Sequence, residues 1–591
     1  QSARQQIWHQ NELRSHLFAF ITHAIRTSSN ETAAVKRLWE WKQSVTRRQA
    51  AYRKLSSEPE AADLLQQLAE LAGNASLLLH SMPQSPIDNA GAEVRKRFTA
   101  ERLSRMERLR ELNRMQENIE QQLAAAAKKR GLDLEAPELQ QIRQALPEET
   151  ALVEFVKYVH IAAAGEPSAG QKPDVRYAAC IVTAKAKPVV VDLGASRKLE
   201  DSIIRFRRPF TAKTVTNEML TDSERAAGQL RSEFWRPLQN HLPGIETVLI
   251  SPDGAIGILP FAALPGSVPE TYLLEDYRFA MLPAAAALLD SDDGDQAIGY
   301  ASMLLVGDVD YGATSELQLA SSEPDRSIYA KPLPGTSREL EAIRRMRDAQ
   351  RLTTKLTSLT ADQATESNLL KLAPNHQLLH IATHGFFQSQ TDDFDAAAPG
   401  SSTRPASLPE QNPVDPLLRN FMPGYLSGLA LAGCNTRSQR SGGSIDGVLH
   451  SAEVESNSLE NVDTVVLSAC ETALGQEIGG EGLIGLQRAF HVAGVDTVIA
   501  SLWKVDDQAT ASFMEKFYTN LLQHRMGKLD ALRDAQLQML KQHRAKMDQN
   551  PRGLGAKPSK IQATKPAVKS ASPPRVPAAA YWAAFQLSGH W

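Results

Sequence analysis

Two runs in the chain place a reactive side chain at the end of an apolar stretch. In Gln377-Leu378-Leu379-His380-Ile381-Ala382-Thr383-His384-Gly385, a strand pattern runs straight into His-Gly. In Thr464-Val465-Val466-Leu467-Ser468-Ala469-Cys470, a second one ends on a thiol, and the small and polar residues that follow mark a turn. Functional groups of an α/β sheet gather in the crevice at the carboxyl ends of its strands, so His384 stands where a general base is useful. A thiol with a pKa near ~8.5 is only a few per cent thiolate at neutral pH, and a neighbouring imidazole raises that fraction. If the two strands are adjacent, His384 and Cys470 face each other as a cysteine–histidine dyad. Gly385, lacking a Cβ, lets a substrate carbonyl approach a backbone N–H closely.

The same residue types have plainer uses. A cysteine closing an apolar strand is commonly a buried structural thiol. Cys180 lies inside a strand pattern and reads as inert core, while Cys434, in Ala430-Leu431-Ala432-Gly433-Cys434-Asn435, follows an apolar run with no His-Gly nearby. His380 and His384 invite a metal, but strand residues four apart are separated by ~13 Å at ~3.3 Å per residue, so zinc is set aside and no cofactor is expected. His380 reads as a satisfied sheet histidine and His376 as a surface one.

The elements that must hold these groups follow from length and pattern. A chain of 591 residues implies two or more folded units. Lys plus Arg (65) against Asp plus Glu (68) gives no chain-wide electrostatic case for nucleic acid or anionic membrane. Three cysteines cannot build a disulfide framework and suit a reducing, cytoplasmic setting. The longest apolar runs, such as Val495 to Trp503, fall well short of the ~20 residues a membrane helix needs. The opening QSARQQIWHQ has no initiator Met and no apolar h-region, and reads as the start of a shortened or processed product.

Residues 1–147 are rich in Ala, Leu, Gln, Glu and Arg at helical spacing, which predicts helical hairpins serving as a scaffold or as the end of a repeat array. Glu93 to Arg130 is one long amphipathic pattern (Phe98, Leu103, Met106, Leu109, Leu112, Met115, Ile119, Leu123) with Gly131 as its C-cap. No clean tetratricopeptide repeat is visible in it. Residues 148–300 are β-rich and start an antiparallel sheet with Ala151–Tyr158, Arg176–Thr183, Val189–Leu193 and Thr247–Ser251. From 301 to 591, strands at Ser302–Val306, Gln377–Ile381, Thr464–Ala469 and Thr497–Leu502 alternate with helices at Ser337–Met346 and Gly482–Ala493 and then helices through His543. That alternation predicts an α/β sheet covered by helices on both faces, preceded by an all-α region. Residues 388–420 read as a surface insertion, and 549–577, basic and Pro-rich without an acidic residue, as a disordered linker. Tyr581–Leu587 reads as a final edge strand or a strand-like tail packed on the sheet.

It is around His384 and Cys470 that the sequence resembles a family, the CHAT peptidases, relatives of caspases and separases that often follow tetratricopeptide arrays in bacteria. The resemblance runs over roughly residues 150 to 591. Its blocks are Ile250-Ser251-Pro252-Asp253-Gly254, Leu259-Pro260-Phe261-Ala262-Ala263-Leu264, Leu333-Pro334-Gly335-Thr336-Ser337, His380 to Gly385, Leu426 to Gly433, Leu467 to Thr472, Gly480-Glu481-Gly482-Leu483, Ser501-Leu502-Trp503 to Asp507, and Tyr581-Trp582-Ala583-Ala584-Phe585. It implies a caspase-like, mixed and mostly parallel sheet flanked by helices. His384 would be the general base or acid and Cys470 the nucleophile, with backbone N–H groups of Gly385 and Cys470 as the oxyanion hole.

The resemblance implies a cysteine endopeptidase that cuts a protein at few sites, in bacterial antiphage defence or programmed cell death. A gasdermin or another effector would be the substrate, and a partner protein sensed upstream, or cleavage in 549–577, would switch it on. The interval from His384 to Cys470 exceeds the ~50 residues quoted for caspases, and Ser468-Ala469-Cys470-Glu471-Thr472 only partly echoes their signature, so cleavage after Asp does not transfer. Asp446, Glu471, Glu481, Asp506 and Asp507 are the acidic candidates for a substrate pocket. The rival readings are a catalytically silent scaffold that binds partners and an acyltransferase using the same dyad.

Overall fold

The computed structural model describes residues 3–42, 52, 55, 58–80, 92–132, 136–161, 173–212, 214–289, 299–312, 330–349, 353–387, 423–439, 447–469, 475–478, 482–503, 507–549 and 578–591. The expected insertion at 388–420 lies outside these residues, as does the expected linker apart from Gln549 at a helix end.

Among the described residues, five helices come first: α1 (Ala3–Thr27), α2 (Glu31–Trp41), α3 (Pro59–His80), α4 (Ala92–Lys129) and α5 (Leu139–Ala145). The break before α2 turns on Asn30 at φ 65°, a left-handed conformation that asparagine tolerates better than most side chains. α4 ends at a glycine cap, where Gly131 sits at φ +66° and Leu132 N–H donates to the Ala127 carbonyl at 3.2 Å. Its buried stripe contains Met106, Leu109, Leu112, Ile119 and Leu123, whereas Leu103 and Met115 of the same pattern are exposed.

The strands are β1 (Thr150–Val159), β2 (Val175–Thr183), β3 (Val189–Ala195), β4 (Thr247–Ser251), β5 (Arg278–Met281), β6 (Ser302–Val309), β7 (Lys355–Ala361), β8 (Leu378–Ile381), β9 (Gly385–Phe387), β10 (Ser427–Ala430), β11 (Val448–His450), β12 (Thr464–Leu467), β13 (Gly475–Ile478), β14 (Gly482–Gly485), β15 (Thr497–Ser501) and β16 (Phe585–Gly589). Eleven of them form one sheet in the order β3-β2-β1-β4-β5-β16-β15-β12-β8-β6-β7. Seven of its neighbour pairs run parallel. Three run antiparallel, so the sheet is mixed and mostly parallel. Every residue of β4, β12 and β15 is buried. Successive strand residues point to opposite faces, so both faces are covered there, which is why these strands read as continuous apolar runs.

The covering helices are α6 (Ser196–Thr211), α7 (Asn217–Gln229), α8 (Pro334–Ala349), α9 (Glu366–Leu372), α10 (Ser451–Glu455), α11 (Leu486–Val492), α12 (Asp507–Tyr518) and α13 (Lys528–Gln549). α8 packs on α12, and α13 lies against β5 and β16.

Four expectations change. β1, β2 and β3 are antiparallel as read, but β4 returns parallel to β1 after the α6–α7 crossover. The helix expected over Gly482–Ala493 begins only at Leu486, because Gly482–Gly485 pairs with β13 in a hairpin; two glycines in four residues are poor helix formers. His376 is buried, with Nδ1–H donating to the Leu372 carbonyl at 2.8 Å and Thr357 Oγ1 2.9 Å from Nε2. The terminal segment, expected as an edge strand or a strand-like tail packed on the sheet, is instead an interior strand. β16 lies between β5 and β15, with Trp582 and Leu587 fully buried and Phe585 stacked on Phe513 at 5.0 Å. It runs parallel to β5 and antiparallel to β15, so it joins two parallel blocks of opposite direction.

Candidate functional site

The strands that carry the predicted pair are neighbours. β8 and β12 run parallel in the register Ile381↔Leu467, and Ser468 N–H extends the ladder to the Ile381 carbonyl at 2.9 Å. His384 leaves the carboxyl end of β8 three residues past that paired position. Cys470 itself lies just beyond Ala469, outside the described residues, as do Asp446, Glu471, Glu481 and Asp506; Asp507 opens α12, and its side chain is likewise outside them. Of the predicted site, the structure thus describes His384, Gly385 and the main chain leading to Cys470.

His384 is half-buried, and its Nε2–H donates to the Lys331 carbonyl at 2.7 Å. A carbonyl only accepts, so Nε2 carries the proton and the lone pair of the neutral ring is on Nδ1. Lys331 precedes Pro332, which confines its backbone to extended conformations. Against the imidazole lies the buried Tyr311 ring, with centroids 5.3 Å apart. The Tyr311 hydroxyl donates to Thr383 Oγ1 at 2.9 Å, and Thr383 in turn donates to the Ala430 carbonyl at 2.5 Å. Ala430 N–H then returns a bond to the His384 carbonyl at 2.9 Å.

Those last contacts belong to a second, three-stranded sheet in the order β11-β10-β9. In its register Leu429 faces Gly385, and the bond from Ala430 N–H to the His384 carbonyl makes that a non-hydrogen-bonded pair. The Gly385 N–H therefore points away from β10, on the side of β9 that has no strand partner among the described residues. Gly428 in β10 has a steric reason to be glycine: an added Cβ would stand 2.7 Å from Phe386 Cζ and 2.8 Å from the Leu449 carbonyl oxygen.

The helical region reaches this sheet. Ala75 of α3 and Met106, Leu109 and Leu112 of α4 form a buried cluster with Tyr425, whose hydroxyl donates to the Ala72 carbonyl at 2.9 Å. Tyr425 stands just before β10.

The other reactive types are accounted for. Cys180 is fully buried in β2, and burial pushes its thiol up to about 12. Cys434 is buried, its thiol donating to Asn435 Oδ1 at 3.7 Å. His380 is buried with Tyr518 Oη 2.9 Å from Nδ1 and Glu339 3.2 Å from Nε2. The Lys331 carbonyl, Tyr311 and Thr383 escaped the sequence reading. A backbone acceptor has no residue identity to recognise, and only the following proline hints at it.

The fold and the site define an α/β protein whose mixed sheet sends His-Gly off one central strand, with Cys470 three residues past the last paired position of that strand's parallel neighbour. Residues 224–590 match the CHAT domain, and the chain belongs to that family. It is 23% identical over 284 residues to human tetratricopeptide repeat protein 28, an alignment covering 46% of this chain and 10% of that protein. The mouse protein of the same name matches equally at 23%, so the chain spans about a tenth of the length of the curated relatives it matches. Among solved structures, the Saccharomyces cerevisiae separase–securin complex overlaps 90% of this chain and 39% of its own, at 9% identity and a TM-score of 0.39. The Arg-specific cysteine proteinase gingipain R overlaps 66% of this chain and 73% of its own, at 9% identity and a TM-score of 0.32. Overlaps this loose carry no argument about chemistry.

Proposed function

We propose that the protein is a caspase-like cysteine endopeptidase whose nucleophile is Cys470 and whose general base is His384. The observation that carries this reading is the β8–β12 register: His384 and Cys470 each follow the paired residues Ile381 and Leu467 by three positions, on parallel strands ~4.8 Å apart. The tautomer of His384 supports it, because Nδ1 is then the atom that accepts the thiol proton. The Cys470 thiolate attacks the scissile carbonyl, and the N–H groups of Gly385 and Cys470 hold the oxyanion, each such donor contributing ~10²–10³ in rate. His384 Nδ1–H then protonates the leaving amine, and water, deprotonated by the same nitrogen, hydrolyses the acyl-enzyme.

The substrate proposed is a protein cut at few sites, with an acidic pocket drawn from Asp446, Glu471, Glu481, Asp506 or Asp507. A defence or cell-death setting, with a pore-forming effector as substrate, rests on the family resemblance alone. The packing of α3 and α4 on Tyr425 gives the helical region a route to β10 and the His384 carbonyl, and we propose that an upstream partner gates activity through it. The decisive experiment incubates wild type and Cys470→Ala with peptide libraries and a thiol-reactive peptidyl probe, with and without candidate activators. New termini and labelling at Cys470 are expected with wild type only. Absence of both in every condition leaves the silent scaffold, and turnover that needs an amine acceptor without peptide cleavage leaves the acyltransferase.

A further inference from the structure

Asn435 sits in the turn that follows β10 and touches both segments that contact the His384 ring. Its Oδ1 accepts from Ala330 N–H at 3.0 Å, and its Nδ2 donates to the Ala330 carbonyl at 2.9 Å and to the Gly312 carbonyl at 3.2 Å. Its own N–H donates to the Tyr311 carbonyl at 2.9 Å. One residue therefore grips Ala330, next to the Lys331 carbonyl that binds Nε2, and also grips Tyr311, whose ring lies against the imidazole.

We infer that Asn435 is a positioning residue of the site: its side-chain amide sets the Lys331 carbonyl so that His384 is held as the Nε2–H tautomer. The inference rests on the peptidase reading only for its kinetic consequence.

The chemistry requires an amide at this position. One atom must accept and the other must donate twice, which Asn does and Asp does not; an aspartate would set a charge against two carbonyl oxygens. The turn that carries it is itself fixed. Gly433 N–H donates to the Asp310 carbonyl at 3.0 Å, and Cys434 is buried beneath Gly447. At Gly447, φ +77°, an added Cβ would fall 2.7 Å from the Cys434 nitrogen. Asn435 is thus held by the β10 turn and in turn holds Ala330, so the order of dependence runs from the small sheet to the imidazole. Without this grip the Lys331 carbonyl drifts from Nε2, the neutral ring populates its Nδ1–H form, and that form cannot accept the thiol proton.

The test uses the full chain as wild type, Asn435→Ala and Asn435→Asp, with Asn520→Ala as control. The buried Asn520 amide donates to the Ala531 carbonyl at 3.2 Å and to Asp534 at 2.9 Å, so its loss measures general destabilisation away from the small sheet. Both Asn435 variants should lose kcat by ~10–100-fold with KM within about twofold, as expected for a misplaced reacting group. Asn520→Ala should lower Tm at least as much and keep kcat. A second readout does not need turnover: the ¹⁵N signals of His384, assigned by their disappearance in His384→Gln, should report Nε2–H in wild type and a tautomer mixture in Asn435→Ala. Retention of the Nε2–H form in Asn435→Ala overturns the inference whatever kcat does. If wild type has no turnover, the peptidase reading has failed separately and the tautomer readout still decides the role of Asn435.

Discussion

Strands β4 and β8, which lie in the sheet's two blocks of opposite direction, have polar residues at or just past their ends, and the protein treats the two ends in opposite ways. Beyond β4, the crevice is filled from outside the sheet. Lys42, one residue past α2, pairs with Glu154 at 2.8 Å, the two side chains being 3% and 1% exposed. The ammonium also donates to the carbonyls of Phe155 and Ser251 and to Ser251 Oγ, and Trp39 Nε1–H donates to the second Glu154 oxygen. Burying an ion costs several kcal/mol, and only a partner plus a full set of hydrogen bonds offsets it. Beyond β8, a half-buried imidazole donates from Nε2 to the Lys331 carbonyl and lies against the Tyr311 ring. One strand end is therefore closed by a buried ion pair, and the other presents an imidazole oriented through its Nε2–H.

If that contrast is right, substitutions at the two ends separate activity from stability. His384→Ala is expected to lower kcat/KM by roughly 10⁴-fold or more, the scale seen when a member of a catalytic constellation is removed. Its Tm should stay within a few degrees of wild type, since a half-buried side chain is removed and no buried ion pair is broken. A melt that collapses together with activity would place His384 among the structural residues instead. Lys42→Met should do the reverse. Stripping Glu154 of its buried partner is expected to cost about 3–5 kcal/mol. Urea unfolding measures that loss, and the surviving folded fraction should keep its kcat. A loss under 1 kcal/mol would mean that the plug is dispensable and the contrast wrong.

The contrast was only half legible beforehand. The apolar runs at Leu378–Ile381, Thr464–Leu467 and Thr497–Ser501 announce buried parallel strands, and reactive residues just past two of them stand out. Register does not show in a single sequence, because pairing depends on which strands meet and not on what each contains. For the same reason β16 passes for an edge: Tyr581–Leu587 has the composition of any buried strand, and nothing local tells it to slot between β5 and β15. β9 to β11, at three or four residues each, are too short for alternation to register. Lys42 carries no local mark of its place in the fold. Its burial is a tertiary event, set by Glu154 and Ser251 more than a hundred residues away.

Asp253 supplies the smallest effect and the finest probe of the plugged end. Its side chain is 2% exposed overall, Oδ2 accepts from Lys157 N–H at 2.8 Å, and Oδ1 has no partner among the described residues. Burial raises its pKa above the ordinary aspartate value, against the opposing pull of Lys42 and of the Lys157 N–H. Between the ordinary value of ~3.9 and the raised folded value, the folded state binds more protons than the unfolded one, so stability falls as pH rises through that window and the cost is complete above it. Asp253→Asn keeps an oxygen for Lys157 N–H and removes the buried charge. Its Tm should therefore lie a few degrees above wild type at pH 7–8, and the gap should close as pH is lowered towards 4. A gap that does not change with pH would show that Asp253 is not ionised there. In a Lys42→Met background the gap at neutral pH should widen, because the cation that partly compensates Asp253 is the same one that neutralises Glu154.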